Sequence, residues 1–314
     1  MMIYLDFEKP VAALEARILE LQAAAQESDV DADAEIAKLR GKADKQLADT
    51  YANLTAWQKT QVARHPERPH FKHYIASMFE DFMPLAGDRA FGDDQAIIGG
   101  LARLHGRRVM VIGHEKGDDT QSRLRHNFGM GKPEGYRKAI RLMELADRFA
   151  IPVVSLVDTS GAFPGIQAEE RGQAEAIARS TEACLALGVP MIACIVGEGG
   201  SGGAVALAAA DRILMFQYAV YSVISPEGCA SILWRTGDKA ADAAQAMKMT
   251  ADDLKSLRII DRIVKEPVGG AHRDHALAAA TLASAIHEEL EALSAFSAKE
   301  LVQQRRTKFL SMGA

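Results

Sequence analysis

The fold of this chain is decided by residues 191–215, which read MIACIVGEGGSGGAVALAAADRILM. The apolar run 191–196 predicts a buried strand, and the alanine-rich segment 204–210 can form a helix. Between them, residues 197–203 carry five glycines around Glu198 and Ser201. A glycine turn before a helix leaves backbone N–H groups without intrahelical partners, at the positive end of the helix dipole. We therefore predict a site for an anion or for an oxyanion that develops on a carbonyl.

A second strand, glycine turn and helix precede this stretch. Residues 153–157 predict an apolar strand, residues 158–165 (DTSGAFPG) a turn and residues 169–187 a helix. Two such units in succession predict an α/β fold with parallel strands and right-handed crossovers. Both turns then lie at the carboxyl ends of neighbouring strands, where open α/β sheets bind their ligands.

The N-terminal region predicts a helical appendage. Apolar residues recur at helical spacing on both sides of an acidic break at 27–33, which predicts two helices packed as a hairpin. Helical character continues to Arg64, and Pro66 and Pro69 end it. We therefore divide the chain into an appendage at 1–70 and a main domain at 71–314.

The remaining elements of the main domain follow from local patterns. Predicted helices cover 71–83, 133–149, 225–234, 274–293 and 298–312, and predicted strands cover 96–104, 108–114, 213–216, 219–224 and 259–265. Ser225 is placed to cap its helix, and Glu227 in the first turn favours helix stabilisation over a role as catalytic acid. The polar loop 115–131 carries Arg123, Arg125 and His126, which either face a substrate or lie on a mobile surface.

Composition excludes several classes of protein. The 314 residues are 48% hydrophobic and 25% charged with a net charge of -5, which argues against nucleic-acid and anionic-membrane binding. No apolar run approaches the roughly 18 residues of a membrane span. The N-terminus lacks a basic segment and an apolar signal core, so we expect a cytoplasmic protein. Cys184, Cys194 and Cys229 form no CxxC pair, and we expect reduced core cysteines and no zinc site in this chain.

The glycine segment does not match either of two nucleotide-binding motifs. A phosphate loop requires a lysine after the glycines, and none follows here. The pattern GxGxxG occurs at Gly197, Gly199 and Gly202, but no acidic residue follows at the end of a next strand roughly 20 residues on.

Two enzymatic interpretations and one structural interpretation remain open. Gly199, Ser201 and Gly203 satisfy GxSxG, and Asp261 with His272 or His275 follow in the order of a serine hydrolase triad. The alternative is an oxyanion site without a protein nucleophile, in which a lost N–H donor costs about 2.7–4 kcal/mol of barrier. A non-catalytic scaffold assembled through the appendage is the third hypothesis.

Several further motifs carry a resemblance to a known family. They are LDFEKP (5–10), AGDRAF (86–91), NFGM (127–130), PEGYRKA (133–139), AEERGQ (168–173), GEGGSGGA (197–204), YSVISPEGCASILW (221–234) and GGAHR (269–273). With these motifs the chain resembles the alpha subunits of the bacterial acetyl-CoA carboxylase carboxyltransferase, which are members of the crotonase-like superfamily. The resemblance implies a crotonase-like α/β fold with repeated ββα units, an N-terminal helical hairpin and C-terminal helices.

The resemblance also implies a reaction and partners. Such an alpha subunit pairs with a zinc-ribbon beta subunit as an α2β2 heterotetramer, and zinc is bound only by that partner. Together the subunits transfer the carboxyl group from carboxybiotin to acetyl-CoA, giving malonyl-CoA for fatty acid synthesis. Biotin carboxylase, the third component of the ATP-dependent complex, is a further implied partner. The biotin is attached to a separate biotin carboxyl carrier protein and is not bound covalently to the alpha subunit.

Site residues follow from the same resemblance. The amides of Gly202 and Gly203 would stabilise the charge on the biotin ureido oxygen, and the biotin enolate would take the proton from the acetyl methyl group. The carboxybiotin side would include Gly199, Gly200, Gly161, Ala162, Phe163 and Gly165.

The sequence departs from the family pattern at a few positions. Ser160 and Phe163 stand where the family has DTPGAYPG, so a contact through a tyrosine hydroxyl is excluded. Asp118 and Gln121 stand where the family carries basic residues, which argues against phosphate binding by that loop. Lys132 is unusual for the family, and the sequence offers no account of it.

Overall fold

The centre of the molecule is a mixed sheet. The computed structural model describes residues 3–28 and 32–313, and within them one sheet has eight strands. The strands are β1 (Glu80–Pro84), β2 (Ile97–Leu104), β3 (Arg107–His114), β4 (Val153–Thr159), β5 (Met191–Gly200), β6 (Arg212–Phe216), β7 (Val220–Ser222) and β8 (Arg262–Val264).

The strand order confirms the predicted parallel core. The sheet runs β1-β2-β3-β4-β5-β6-β8, and β7 pairs with the far end of β5. The pairs β3–β4, β4–β5, β5–β6 and β6–β8 are parallel. Strands β2 and β3 form the predicted antiparallel hairpin, and its turn residues His105 and Gly106 both have positive φ. Every residue of β4 is buried, as expected for a parallel strand covered on both faces.

Helices cover the sheet and form the two ends of the chain. They are α1 (Lys9–Ser28), α2 (Asp33–Ala52), α3 (Ala56–Ala63), α4 (Phe71–Met78), α5 (Thr120–Arg125), α6 (Pro133–Arg148), α7 (Ile166–Glu170), α8 (Gln173–Ala186), α9 (Ser201–Ala208), α10 (Pro226–Trp234), α11 (Ala240–Ala246), α12 (Ala251–Ser256), α13 (His275–Leu293) and α14 (Ala298–Leu310). None of these helices combines the length and apolarity needed to cross a membrane.

The predicted N-terminal helical hairpin is confirmed. Helices α1 and α2 pack together around Ile18, Ile36, Leu39 and Ala43, although part of the acidic break between them lies outside the described residues. Helix α3 contacts α11 and β5, and the buried Arg68 pairs with Glu266 near the sheet at 2.8 Å. The chain before residue 70 therefore contacts the main domain closely, and the boundary at residue 70 stays a prediction.

Several predicted elements differ in extent. Helix α4 ends at Met78, and residues 80–84, predicted as the end of a helix, form the edge strand β1. The predicted helix 169–187 consists of α7 and α8, because Gly172 adopts a left-handed conformation with a φ of 80° between them. The polar loop 115–131 contains helix α5 and a 3₁₀ turn at Asn127–Gly129.

The predicted glycine turn is wrong as a description of the backbone. Strand β5 continues through Gly200, and α9 begins at the next residue, Ser201, which has a φ of 50°. Glycines 197, 199 and 200 are thus strand residues, and they let β5 pair with β7 on one side and with Thr159 of β4 on the other. The chain passes from strand to helix without a loop.

A buried arginine attaches the C-terminal helix to the sheet. Arg305 of α14 is fully buried and donates hydrogen bonds to both carboxylate oxygens of Asp211, at 2.9 and 2.7 Å. It also donates to the carbonyl oxygens of Cys184 and Leu187. Asp211 in turn accepts a hydrogen bond from the first amide of β5, so this ion pair fixes where β5 begins.

We predict that Arg305→Ala lowers the free energy of unfolding by about 3–5 kcal/mol, because it leaves the Asp211 carboxylate buried without its partner. Urea unfolding measures the change. Arg306→Ala is the matched control, since Arg306 is the next residue of the same helix and is exposed. Equal stability of the two variants would contradict the structural role of the ion pair.

Candidate active site

The two glycine-containing segments lie against each other. A Cβ atom built on Gly200 would lie 2.2 Å from the carbonyl oxygen of Ser160. One built on Gly203 would lie 2.7 Å from the carbonyl carbon of Gly161 and 2.9 Å from the amide nitrogen of Ala162. Real Cβ atoms do not approach so closely, so only glycine permits this contact. The segments 158–165 and 197–203 therefore meet at the carboxyl ends of β4 and β5.

The first segment is fixed by hydrogen bonds from outside it. The amide of Phe163 donates to the carbonyl oxygen of Gly131 at 3.0 Å. The Gln173 side chain donates to the same oxygen at 2.9 Å and to the carbonyl oxygen of Phe163 at 3.0 Å. The Lys132 ammonium lies 5.0 Å from the centre of the Phe163 ring, a cation–π contact. Two departures from the family pattern, Lys132 and Phe163, are therefore partners in the fold.

The second segment presents the start of a helix. Gly202 and Gly203 lie in the first turn of α9, whose N–H groups have no carbonyl one turn earlier in the helix. Gly202 is half-buried and Gly203 is buried against the first segment. The structure thus brings Gly161, Ala162, Gly202 and Gly203 together, and their role as donors or substrate contacts stays a prediction.

A buried carboxylate joins the two strands beneath these segments. Asp158, at the end of β4, accepts a hydrogen bond from the backbone amide of Glu198 in β5 at 2.9 Å. Its carboxylate also contacts the Lys116 ammonium at 2.7 Å and lies 3.5 Å from Nδ1 of His70. Gly197 must be glycine, because a Cβ atom there would lie 2.5 Å from the Asp158 carboxylate.

The charge of Asp158 is stabilised by its neighbours. Burial by itself raises the pKa of the Asp158 carboxyl, but the Lys116 ammonium and the contact with His70 hold that pKa well below its usual range. The carboxyl group is therefore ionised at neutral pH. It acts as a fixed negative charge between β4 and β5.

Arg64 links the glycine strand to the helix that follows it. Its guanidinium donates twice to Oε1 of Glu198, at 2.9 and 2.6 Å, and once to Oε1 of Glu227 at 2.6 Å. Glu227 lies in the first turn of α10, where Ser225 is the predicted cap and accepts a hydrogen bond from the Gly228 amide at 3.0 Å. Burial raises the pKa of Glu227, and its helix position and Arg64 lower it below the usual value.

Two concave surfaces of different character lie along the glycine segment. One is a polar cavity of about 240 Å³, whose lining includes Arg64, His70, Lys116, Arg123, Asp158 and Glu198. The other is an apolar groove of about 470 Å³, whose lining includes Ser201, Val205, Tyr221, Val223, Ile224 and Cys229. Cys229 is half-buried in this groove, whereas Cys184 and Cys194 are buried core residues as predicted.

The proposed serine hydrolase triad does not assemble. The Asp261 carboxylate binds Lys308 at 2.5 Å and accepts from the Ile213 amide. His272 stacks on His65 with ring centres 3.8 Å apart, and neither ring nitrogen of His272 has a hydrogen-bond partner in the described structure. Nε2 of His275 contacts the carbonyl oxygen of Glu67. Because no histidine reaches the Ser201 hydroxyl, the hydrolase hypothesis is wrong.

Sequence reasoning missed the charged residues around the glycine segments. Lys116 lies two residues after the end of β3, and the parallel pairing of β3 with β4 brings its ammonium group to Asp158. Its position after a strand was a usable signal. Arg64 and His70 come from a helix end and a connector far away in sequence, and no local pattern marks them. Within residues 3–28 and 32–313, no group of His, Cys, Asp and Glu side chains is arranged to hold a metal ion.

The fold is that of crotonase-like carboxyltransferases, as predicted. The chain superposes on transcarboxylase 12S with a TM-score of 0.55 at 22% identity, covering 69% of this chain and 42% of that one. It superposes on the beta subunit of Pseudomonas aeruginosa geranyl-CoA carboxylase with a TM-score of 0.58 at 16% identity, covering 78% and 45%. The chain spans less than half of each structure, and at these identities the likeness concerns the fold alone.

The sequence relatives define the family. A family model described as acetyl co-enzyme A carboxylase carboxyltransferase-like matches residues 4–313. The acetyl-coenzyme A carboxylase carboxyl transferase subunit alpha of Rhizorhabdus wittichii is 72% identical over 100% of both chains. The protein of the same name from Zymomonas mobilis is 67% identical over 100% of both chains. The chain belongs to the family of acetyl-CoA carboxylase carboxyltransferase alpha subunits, and it is a carboxyltransferase subunit.

We predict that Asp158→Asn lowers the free energy of unfolding at pH 7 by about 3 kcal/mol, because it removes the buried partner of Lys116. The pKa of Asp158 is depressed in the folded state, so its stabilising contribution is present above the ordinary aspartate pKa of about 3.9. That contribution is lost as the pH falls from there towards the depressed pKa. Urea unfolding of both proteins between pH 7 and pH 3 should show the gap narrowing below about pH 4.

The exposed Asp242 provides the control for this prediction. Asp242 pairs with Lys239 on the surface at 3.2 Å, so Asp242→Asn should change stability by less than about 1 kcal/mol at any pH. A gap between wild type and Asp158→Asn that stays constant down to pH 3 would contradict an ionised Asp158.

Proposed function

We propose that this chain binds the carboxybiotin side of a carboxyltransferase active site that it shares with a beta subunit. The reaction moves the carboxyl group of carboxybiotin to acetyl-CoA and forms malonyl-CoA for fatty acid synthesis. The observation that carries this proposal is the start of α9, where Gly203 lies against Gly161 and Ala162, Gly202 precedes it in the first turn, and the described residues form no nucleophilic triad. Family membership supports the same reaction.

In this proposal the backbone amides of Gly202 and Gly203 are the catalytic groups. Carboxybiotin supplies the carboxyl group, and its departure leaves negative charge on the ureido oxygen. Two fixed N–H donors at a helix N-terminus stabilise such a charge without having to reorient during the reaction. The segments that hold these donors, with Gly199, Gly200, Gly161, Ala162, Phe163 and Gly165, form the wall on the carboxybiotin side.

The apolar groove fits the rest of the biotin group. It begins at Ser201, directly before the two donor residues, and continues along Val205, Tyr221 and Ile224. A fused ring and its hydrocarbon chain bury apolar surface there, while the polar ureido edge faces the amides. Ser201 lines the groove and has no role as a nucleophile.

No side chain of the site is proposed as the base that takes a proton from acetyl-CoA. Asp158 is paired with Lys116, and Glu198 is paired with Arg64. Among the residues lining the polar cavity these are the two carboxylates, and each is already occupied by its cationic partner. In this proposal the biotin itself takes the proton from the acetyl methyl group, and the side chains of the site position the backbone.

An exposed apolar surface next to the groove is proposed to contact the beta subunit. Val223, Ile232 and Leu233 are 80%, 71% and 64% exposed, and Trp234 is 44% exposed. Such a cluster of large apolar side chains marks an interaction surface. We propose an α2β2 assembly in the cytoplasm, with zinc held only by the beta subunit. Biotin carboxylase and the biotin carboxyl carrier protein would deliver carboxybiotin to it, and no nucleic acid or membrane is involved.

We predict that Gly203→Ala lowers malonyl-CoA formation by the reconstituted complex by about 100-fold or more, because its Cβ would displace the Gly161–Ala162 backbone and the donors. Gly202→Ala is the matched control. Its Cβ would meet Cγ2 of the Ile177 side chain at 3.3 Å and no backbone atom of the first segment, and the residue keeps its N–H, so activity should be retained. Co-purification with a beta subunit and initial rates at saturating carboxybiotin measure both variants.

Three outcomes would contradict the proposal. Full malonyl-CoA formation by this chain alone would exclude the shared site. Loss of activity in Ser201→Ala would restore a chemical role for the hydroxyl. Equal activity of Gly203→Ala and Gly202→Ala, with both complexes assembled, would show that the Gly203 contact does not hold the donors.

A further inference from the structure

The polar cavity contains one cation that no carboxylate neutralises. Lys116 pairs with Asp158 at 2.7 Å, and Arg64 pairs with Glu198 at 2.6 Å. Arg123 also lines the cavity, and its Nε donates a hydrogen bond of 3.3 Å to the carbonyl oxygen of Gly117. In the described part of the chain no carboxylate forms an ion pair with Arg123. Its outer guanidinium nitrogens are therefore available to a ligand.

The backbone that carries Arg123 is held in place. Helix α5 begins at the cap residue Asp119, which accepts a hydrogen bond from the Ser122 amide at 2.9 Å. Gly117 packs so closely that a Cβ there would lie 2.5 Å from the Arg123 amide nitrogen. After the helix, the His126 ring contacts the carbonyl oxygen of Gln95 and the Lys72 ammonium. The loop is thus anchored at both ends, which favours a substrate-facing role over a mobile surface.

A strained turn places an aromatic ring on the same cavity. Asn127 and Phe128 have φ angles of 46° and 54°, a left-handed conformation that is uncommon for residues other than glycine and unusual for a bulky residue such as Phe128. The Phe128 ring is 47% exposed and lines the cavity beside Arg123. An apolar wall of this kind lowers the local dielectric and strengthens an ion pair formed next to it.

We propose that this cavity is a carboxylate subsite in which the Arg123 guanidinium binds the carboxyl group that is being transferred. The inference rests on the proposed function, and it adds a specificity-determining residue to it. Ser160 and Glu198 line the cavity and directly precede Gly161 and Gly199, so the subsite adjoins the wall proposed for the carboxybiotin side. The paired N–H groups of an arginine match the two oxygens of a carboxylate.

The size of the cavity decides between ligand groups. Pockets for whole drug-sized ligands are roughly 300–1,000 Å³, and this cavity has about 240 Å³. It therefore takes a small group and not an entire coenzyme A. The remaining alternative for an arginine is one phosphate of coenzyme A, which acetyl-CoA and malonyl-CoA both carry. Only malonyl-CoA carries the carboxylate.

The test uses the reconstituted complex in the reverse direction, with malonyl-CoA and free biotin as substrates. Arg123→Gln should raise the KM for malonyl-CoA by roughly tenfold or more. The affinity for acetyl-CoA, measured by calorimetry on the same complex, should not change. Arg123→Lys keeps the charge without the paired geometry and should show a smaller increase. Arg125→Gln is the matched control, because Arg125 is exposed on the same helix and does not line the cavity.

The possible failures are distinguishable. A wild-type complex without malonyl-CoA turnover would overturn the proposed function and this inference with it. An active wild type with an unchanged KM in Arg123→Gln would overturn this inference alone. Equal loss of affinity for acetyl-CoA and malonyl-CoA would assign Arg123 to a phosphate and also overturn it. If Arg123→Gln does not assemble with the beta subunit, the test is made on Arg123→Lys, by comparing its KM for malonyl-CoA with its affinity for acetyl-CoA.

Discussion

The geometry of the site depends on one buried carboxylate. Asp158 is at the end of β4, and its hydrogen bond to the Glu198 amide ties β4 to β5 beyond the last regular ladder pair. The ladder shifts register between Val157 and Thr159, so ordinary strand pairing does not align the two strands there. A side chain performs this alignment instead. Burying its charge is favourable only because Lys116 and His70 lie beside it. The alignment of β4 and β5 therefore depends on those two residues as well.

The ion pairs explain how a crowded charged region is compatible with the proposed reaction, in which no side chain acts as the base. Glu198 extends the set, because Arg64 holds it and connects it to Glu227 at the start of α10. Each carboxylate fixes a backbone segment: Asp158 fixes β5, and Glu227 fixes the helix next to the apolar groove. These carboxylates therefore position the chain's own backbone. Arg123 differs from the others because no carboxylate of the described residues forms an ion pair with it. This difference is the reason why we propose that it binds a ligand, whereas Lys116 and Arg64 hold the chain's own carboxylates.

Much of the fold could be predicted from the sequence, because parallel strands and amphipathic helices have local signals. The apolar runs of β4 and β5 and the Ser225 cap of α10 were predicted close to their observed positions. The edge strand β1 was missed because Phe79 and Phe82 continue the apolar pattern of α4, and a short pattern of this kind fits both structures. The break at Gly172 was missed because a single glycine also occurs within helices.

The site was predicted less completely, because its parts come from separate places in the chain. Residues 158–165 and 197–203 were predicted to lie at the carboxyl ends of neighbouring parallel strands, and the structure brings them into contact there. Lys116 follows the adjoining strand β3 and could have been added on that ground. Arg64 and His70 reach the site through tertiary packing of α3 and of the connector before α4, and no sequence spacing encodes that packing.

The glycines of residues 197–203 pack closely against their neighbours, and this packing shapes the proposed site. From the sequence, the density of glycines predicted a site for an anion or an oxyanion. In the structure, a Cβ at four of them would lie under 3.0 Å from another group: Asp158 at Gly197, Tyr221 at Gly199, Ser160 at Gly200 and Gly161 at Gly203. Gly202 meets its nearest neighbour, Ile177, at 3.3 Å. The four glycines allow these close contacts. The contacts place the first amides of α9 beside the turn after β4. Larger residues at these positions would push the two segments apart.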